Sequence, residues 1–116
     1  MARSRALVIC DDTSRKEFLF SELKKAGLFP VWYPNIFAYR KAVSQDDIKV
    51  IIADLSMPIE PKLDIINRGA KKSPRPSLIT IGKIEYLKTQ KDLLGPHVKT
   101  LKHIQEISKE LQEALI

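Results

Sequence analysis

Asp11 and Asp12 close the apolar run Ala6-Leu7-Val8-Ile9-Cys10, and Asp54 closes a second run, Val50-Ile51-Ile52-Ala53. Carboxylates gathered at one place repel one another unless a cation or a proton offsets their charge. A hard divalent ion suits them, and Mg²⁺ in particular takes one or two protein carboxylates, keeps several waters and accepts oxygens from a phosphorylated group. With the local charge masked, a carboxylate oxygen can attack a phosphoryl group and form an acyl phosphate. An ammonium nearby would then hold the phosphoryl oxygens as a point charge, and Lys99 and Lys102 are the candidates. Taken singly, each acid could equally be an ordinary helix cap, because Asp is common directly after a strand.

The elements around these acids decide whether they meet. Both runs are short, uninterrupted and rich in β-branched residues, the pattern of strands buried on both faces of a parallel sheet. Thr13 or Ser14 is expected to cap a first helix carrying Phe18, Leu19, Leu23 and Ala26, with Gly27 ending it. Residues 28–33 read as a second strand, and Pro30 confines it to an edge. Asn35 is expected to cap a second helix through about 44, followed by strand three over 48–53. A short third helix over 63–69, strand four over 77–81, a fourth helix over 85–94 and a brief strand five near 97–101 complete the alternation. The last helix shows an apolar stripe at Ile104, Ile107, Leu111 and Leu115.

Strict βα alternation predicts an α/β fold: a doubly wound, five-stranded parallel sheet with helices on both faces, strand order 2-1-3-4-5. In that order strands one and three are neighbours at the point where the winding reverses, and ligand crevices open outside the strand carboxyl ends there. Asp11, Asp12 and Asp54 should therefore line one pocket.

A chain of 116 residues with 44% hydrophobic and 29% charged residues is expected to form one soluble domain over 1–116. No apolar run approaches the ~20 residues of a membrane span, and the opening residues Met1-Ala2-Arg3-Ser4-Arg5 carry no signal-peptide core, so a cytoplasmic location without a membrane partner is expected. The single cysteine, Cys10, excludes a disulfide framework and reads as core. The formal charge of +6 raises nucleic acid as a partner, but Lys24-Lys25, Arg40-Lys41, Lys71-Lys72, Lys88, Lys91, Lys99, Lys102 and Lys109 fall in different elements. They read as a solvated surface, as His97 and His103 read as isolated histidines rather than metal ligands.

Leu7-Val8-Ile9-Cys10-Asp11-Asp12 with Thr13-Ser14, together with Ile51-Ile52-Ala53-Asp54-Leu55-Ser56-Met57-Pro58, resembles the receiver domain of bacterial two-component response regulators. The resemblance covers essentially the whole chain. It implies that Asp54 accepts a phosphoryl group from a sensor histidine kinase or phosphotransfer protein, and that the domain then acts on a downstream protein target, as a monomer or a homodimer. It implies Mg²⁺ at Asp11 and Asp12, with Asp54 and the backbone carbonyl of Ser56 as further ligands. Lys99 best matches the frame of the family's phosphoryl-contacting lysine, with Lys102 as the fallback. No enzyme activity beyond this transfer is implied.

Some positions depart from the family pattern. Ile81 stands where relatives carry a Thr or Ser, Thr80 facing the opposite side of the strand. Pro96 replaces an aromatic, and Pro61-Lys62 follows the Met57-Pro58 loop where Asp-Gly is usual. These departures favour a rival: a degenerate receiver that signals by protein contact without phosphorylation. A small Mg²⁺-dependent phosphohydrolase is a further rival, with Glu60 as the one additional acid its loop offers.

Overall fold

A computed structural model describes residues 4–55, 60–82 and 97–114. Its five strands are β1 (Arg5–Ile9), β2 (Phe29–Val31), β3 (Ile48–Asp54), β4 (Ser77–Ile81) and β5 (Val98–Leu101). All pairs are parallel and the order is β2-β1-β3-β4-β5, as the alternation of elements predicted. β1 and β3 are covered on both faces, so Leu7, Val8, Ile51 and Ile52 are all fully buried. Each such aliphatic side chain contributes about 1.5–3 kcal/mol when removed from water.

One face packs Leu7, Ile9, Ile51 and Leu78 against helices α2 (Ile36–Ala42) and α3 (Glu60–Ala70). The other packs Val8, Val50, Ile52, Ile79 and Ile81 against helix α1 (Thr13–Lys25) and the terminal helix α4 (Ile107–Ala114), which a short 3₁₀ turn at Ile104–Glu106 precedes. The terminal stripe does what its spacing requires, with Ile104, Ile107 and Leu111 buried. β2 is an edge strand, consistent with Pro30. The helix expected over 85–94, Met57, Pro96 and Leu115 lie outside the described residues.

Three local details differ from expectation and bear on the pocket. The cap of α1 is Asp12 rather than Thr13 or Ser14: its Oδ1 accepts a hydrogen bond from the Arg15 amide at 2.9 Å. Helix α3 starts at Glu60, earlier than expected, because Pro61 falls in the first turn, where a missing amide costs nothing. β3 extends through Asp54 itself, so that acid is held by the sheet rather than by a loop. Gly27 ends α1 as expected, at φ +84°, a conformation other residues adopt only with strain.

Candidate functional site

Asp54 is the last residue of β3 and pairs in register with Ile81, the last residue of β4; Ile81 in turn pairs with Leu101, the last residue of β5. β1 ends beside it, so the Cys10-Asp11-Asp12 turn opens at the same end of the sheet. Asp54 is only 7% exposed. Its carboxylate is gripped by Arg15, whose Nε donates to Oδ2 at 2.5 Å and whose Nη2 donates to Oδ1 at 2.8 Å. This bidentate fit matches the planar guanidinium to both carboxylate oxygens. The hydrogen bond to Asp54 holds the Arg15 pKa above its ordinary value, more than desolvation lowers it.

Asp12 is drawn into the same arrangement, because the residue whose amide it caps is Arg15. The Cys10 thiol adds a third link, its Sγ lying 3.3 Å from Asp54 Oδ2 and 3.4 Å from the Asp12 carbonyl. Burial pushes that thiol up to about 12, so it stays protonated and able to donate.

Asp11 faces another way. Its Oδ2 accepts from Lys62 Nζ at 2.5 Å, and both residues line a cleft with Trp32, Tyr33, Asn35 and Tyr39. Lys62 is 4% exposed, an uncommon burial for an ammonium, which Asp11 offsets. Hydrogen bonds tie the cleft wall together: the Tyr39 hydroxyl donates to the Val8 carbonyl and accepts from the Tyr33 amide, while the Trp32 indole donates to the Cys10 carbonyl at 3.0 Å. Trp32 also carries Lys16 Nζ 4.1 Å from its ring centroid.

The two lysine candidates stand at different places. Lys99 pairs with Ile79, two residues short of the Asp54 level, and lines a cleft with Ser77, His97, Glu110 and Glu113 towards the amino-terminal end of β4. Lys102 directly follows Leu101 and is exposed at the carboxyl end of the sheet. Leu101 is the strand's buried final residue, within the span expected for strand five, so Lys102 stands nearer the level of Asp54 than Lys99 does.

Ile81 does stand level with Asp54, and Thr80 pairs with Ala53 on the opposite face, as strand alternation requires. The fully buried Thr80 hydroxyl has no hydrogen-bond partner among the described residues. Ser56 and its carbonyl lie outside the described residues.

Sequence reasoning did not single out Arg15 or Lys62. Arg15 was legible in principle, three residues beyond a strand-end acid and therefore on the turn of helix that faces it. Lys62 was noticed only as a replacement for glycine.

A five-stranded sheet in this order, with an acid ending its middle strand and an acid pair ending its first, has the fold of a receiver domain. Three solved structures similar to this chain are of that kind. A response regulator from Thermotoga maritima matches with a TM-score of 0.72 at 14% identity, covering 98% of this chain and 98% of the other. The receiver domain of a sensor histidine kinase from Pseudomonas aeruginosa, crystallised with a magnesium ion coordinated in its active site cleft, matches at 0.68 and 18% identity, covering 98% of each chain. A chemotaxis response regulator of Vibrio cholerae matches at 0.70 and 18% identity, over 97% of this chain and 99% of the other. No protein-family model matches the chain, and no curated protein matches it significantly. Among the described residues, no helix is long and apolar enough to cross a membrane.

Among the described residues, the side chains of Asp11, Asp12 and Asp54 are each engaged by a group of the chain itself. Among the described residues no group of three or more His, Cys, Asp or Glu side chains is placed to hold a metal ion. Arg15 takes both oxygens of Asp54, Lys62 pairs with Asp11, and Asp12 caps α1.

Proposed function

We propose that this chain is a phosphoryl-accepting receiver module of a two-component signalling system, with Asp54 as the acceptor. The observation that carries the reading is the seat of Asp54: the end of the middle strand of a receiver fold, only 7% exposed and braced by a guanidinium. In the transfer, an Asp54 oxygen attacks phosphorus, the bond from phosphorus to the donor breaks, and the leaving group keeps the electron pair. A phosphohistidine of a kinase or phosphotransfer protein is the expected donor.

Arg15 supplies positive charge where the incoming group adds negative charge. Its fork can release one carboxylate oxygen and engage a phosphoryl oxygen instead, since carboxylate and phosphate offer the same planar pair of acceptors. Lys102 is the second cation for that group, coming from the end of β5. Mg²⁺ suits an acid triad, but Asp54 and Asp11 are engaged by the chain's own cations, and the transfer proceeds without it. A downstream protein would read the changed surface.

Incubation of the chain with acetyl phosphate, followed by intact-mass measurement, tests the reading. Wild type is expected to gain one phosphoryl mass, and Asp54→Asn none. The bidentate grip of Arg15 on Asp54 is also what a contact-only signalling domain would show. Absence of uptake from both acetyl phosphate and a phosphohistidine donor would overturn the phosphoacceptor reading and favour that alternative.

A further inference from the structure

We propose that Arg15 and Lys62 together take the charge role of a divalent cation in this pocket, so that the pocket neither recruits Mg²⁺ nor needs it. Three carboxylates, Asp11, Asp12 and Asp54, face two fixed cations, Arg15 and Lys62. Among the described residues these five groups leave one net negative charge, the balance that a divalent ion would leave over the same acids. An arriving Mg²⁺ would therefore meet a pocket already neutralised to that level.

Geometry reinforces the charge count. Mg²⁺ requires carboxylate oxygens at about 2.0–2.1 Å in a near-octahedral shell and gives up its waters reluctantly. Both Asp54 oxygens are held by Arg15 at 2.5 and 2.8 Å, so direct coordination means expelling the guanidinium. Displacing Lys62 from Asp11 also separates a 4% exposed ammonium from a carboxylate oxygen 2.5 Å away. Nor can Asp12 turn its Oδ1 to a metal without uncapping α1. All of these links tie the acids to groups within the chain.

The consequence for phosphoryl uptake rests on the function proposed above; the exclusion of the metal does not. Trp32 is the chain's single tryptophan and its indole is bonded to the carbonyl of Cys10, next to Asp11, which makes its fluorescence a reporter of the pocket. The full chain is titrated with Mg²⁺ through millimolar concentrations, with Mn²⁺ broadening of amide resonances as a second readout. Wild type is expected to give no saturable response, and the pair Arg15→Gln with Lys62→Met to gain one, about tenfold tighter or better than any wild-type binding. Should the double variant fail to fold by circular dichroism, Arg15→Gln alone carries the test, since that side chain is 40% exposed. A saturable wild-type response, or a folded variant that binds no better than wild type, overturns the proposal.

Phosphoryl uptake in Mg²⁺ and in excess chelator separates the two claims. Equal uptake supports the proposal, and uptake abolished by chelator overturns it. Absence of uptake in both conditions counts against the proposed function, while the metal titration still decides the role of the two cations.

Discussion

Arg15 and Asp54, 39 positions apart, meet through two parallel hydrogen bonds of 2.5 and 2.8 Å at the carboxyl end of the sheet. The guanidinium side is 40% exposed and the carboxylate side 10%. Solvent therefore screens the pair from one direction only, and its removal should be felt chiefly at Asp54. Arg15→Ala is expected to destabilise the fold by about 1 kcal/mol, discounted for that screening, and Asp54→Asn in the same background to recover most of the loss. A double-mutant cycle by urea unfolding measures the coupling; additive single effects would show that the pair contributes nothing.

Tyr39 joins β1 to the chain beyond β2 through one hydroxyl, donating to Val8 and accepting from Tyr33. Tyr39→Phe leaves both partners short of a bond and should cost about 1–3 kcal/mol in chemical denaturation. Burial raises the Tyr39 pKa, so the folded state holds this proton more tightly than the unfolded chain does. Its contribution is complete below the unfolded value of about 10 and is lost as pH rises beyond it. The alkaline fall in stability should be shallower in Tyr39→Phe, with a residual slope from Cys10, whose thiol burial pushes up to about 12.

At acid pH the corresponding pair is Arg5 with Asp47. Arg5 donates to both carboxylate oxygens, at 2.6 and 2.9 Å, and these bonds hold the Asp47 pKa below its ordinary value. A depressed acid contributes stability that is present above its unfolded pKa and disappears as pH falls through the folded one. Thermal unfolding below about pH 4 should therefore depend less on pH in Arg5→Gln than in wild type. An identical acid limb in the two proteins would refute the assignment.

Thr80→Val should be neutral or stabilising by up to about 1 kcal/mol, because the buried hydroxyl it removes has no partner among the described residues and the shapes match. A loss larger than about 1 kcal/mol in urea unfolding would mean that the hydroxyl is satisfied after all.

Much of this architecture was legible before any coordinates. β1, β3 and β4 are apolar on both faces, a pattern that only a covered parallel sheet accommodates, and Pro30 marks β2 as the edge. The strand-end acids followed from the same runs. Less legible were features set by side-chain reach. Among 20 Lys and Arg residues, Arg15 has only its place three residues beyond Asp12 to mark it and Lys62 has no local mark, since what recruits them is a carboxylate 39 or 51 positions away. The start of α3 was missed because Pro61 reads as a helix breaker unless it falls in the first turn. Strand five lies where it was expected, but its four residues carry too few alternations to fix which of Lys99 and Lys102 ends at the pocket.

Arg15 belongs to the first turn of α1 through its backbone and to Asp54 through its side chain. Ile81, level with Asp54 on the neighbouring strand, has no hydroxyl to follow a change there. Any event that cancels the charge on Asp54 thus takes away the counter-charge of Arg15 and slackens a side-chain tie that bolts the first turn of α1 to the pocket.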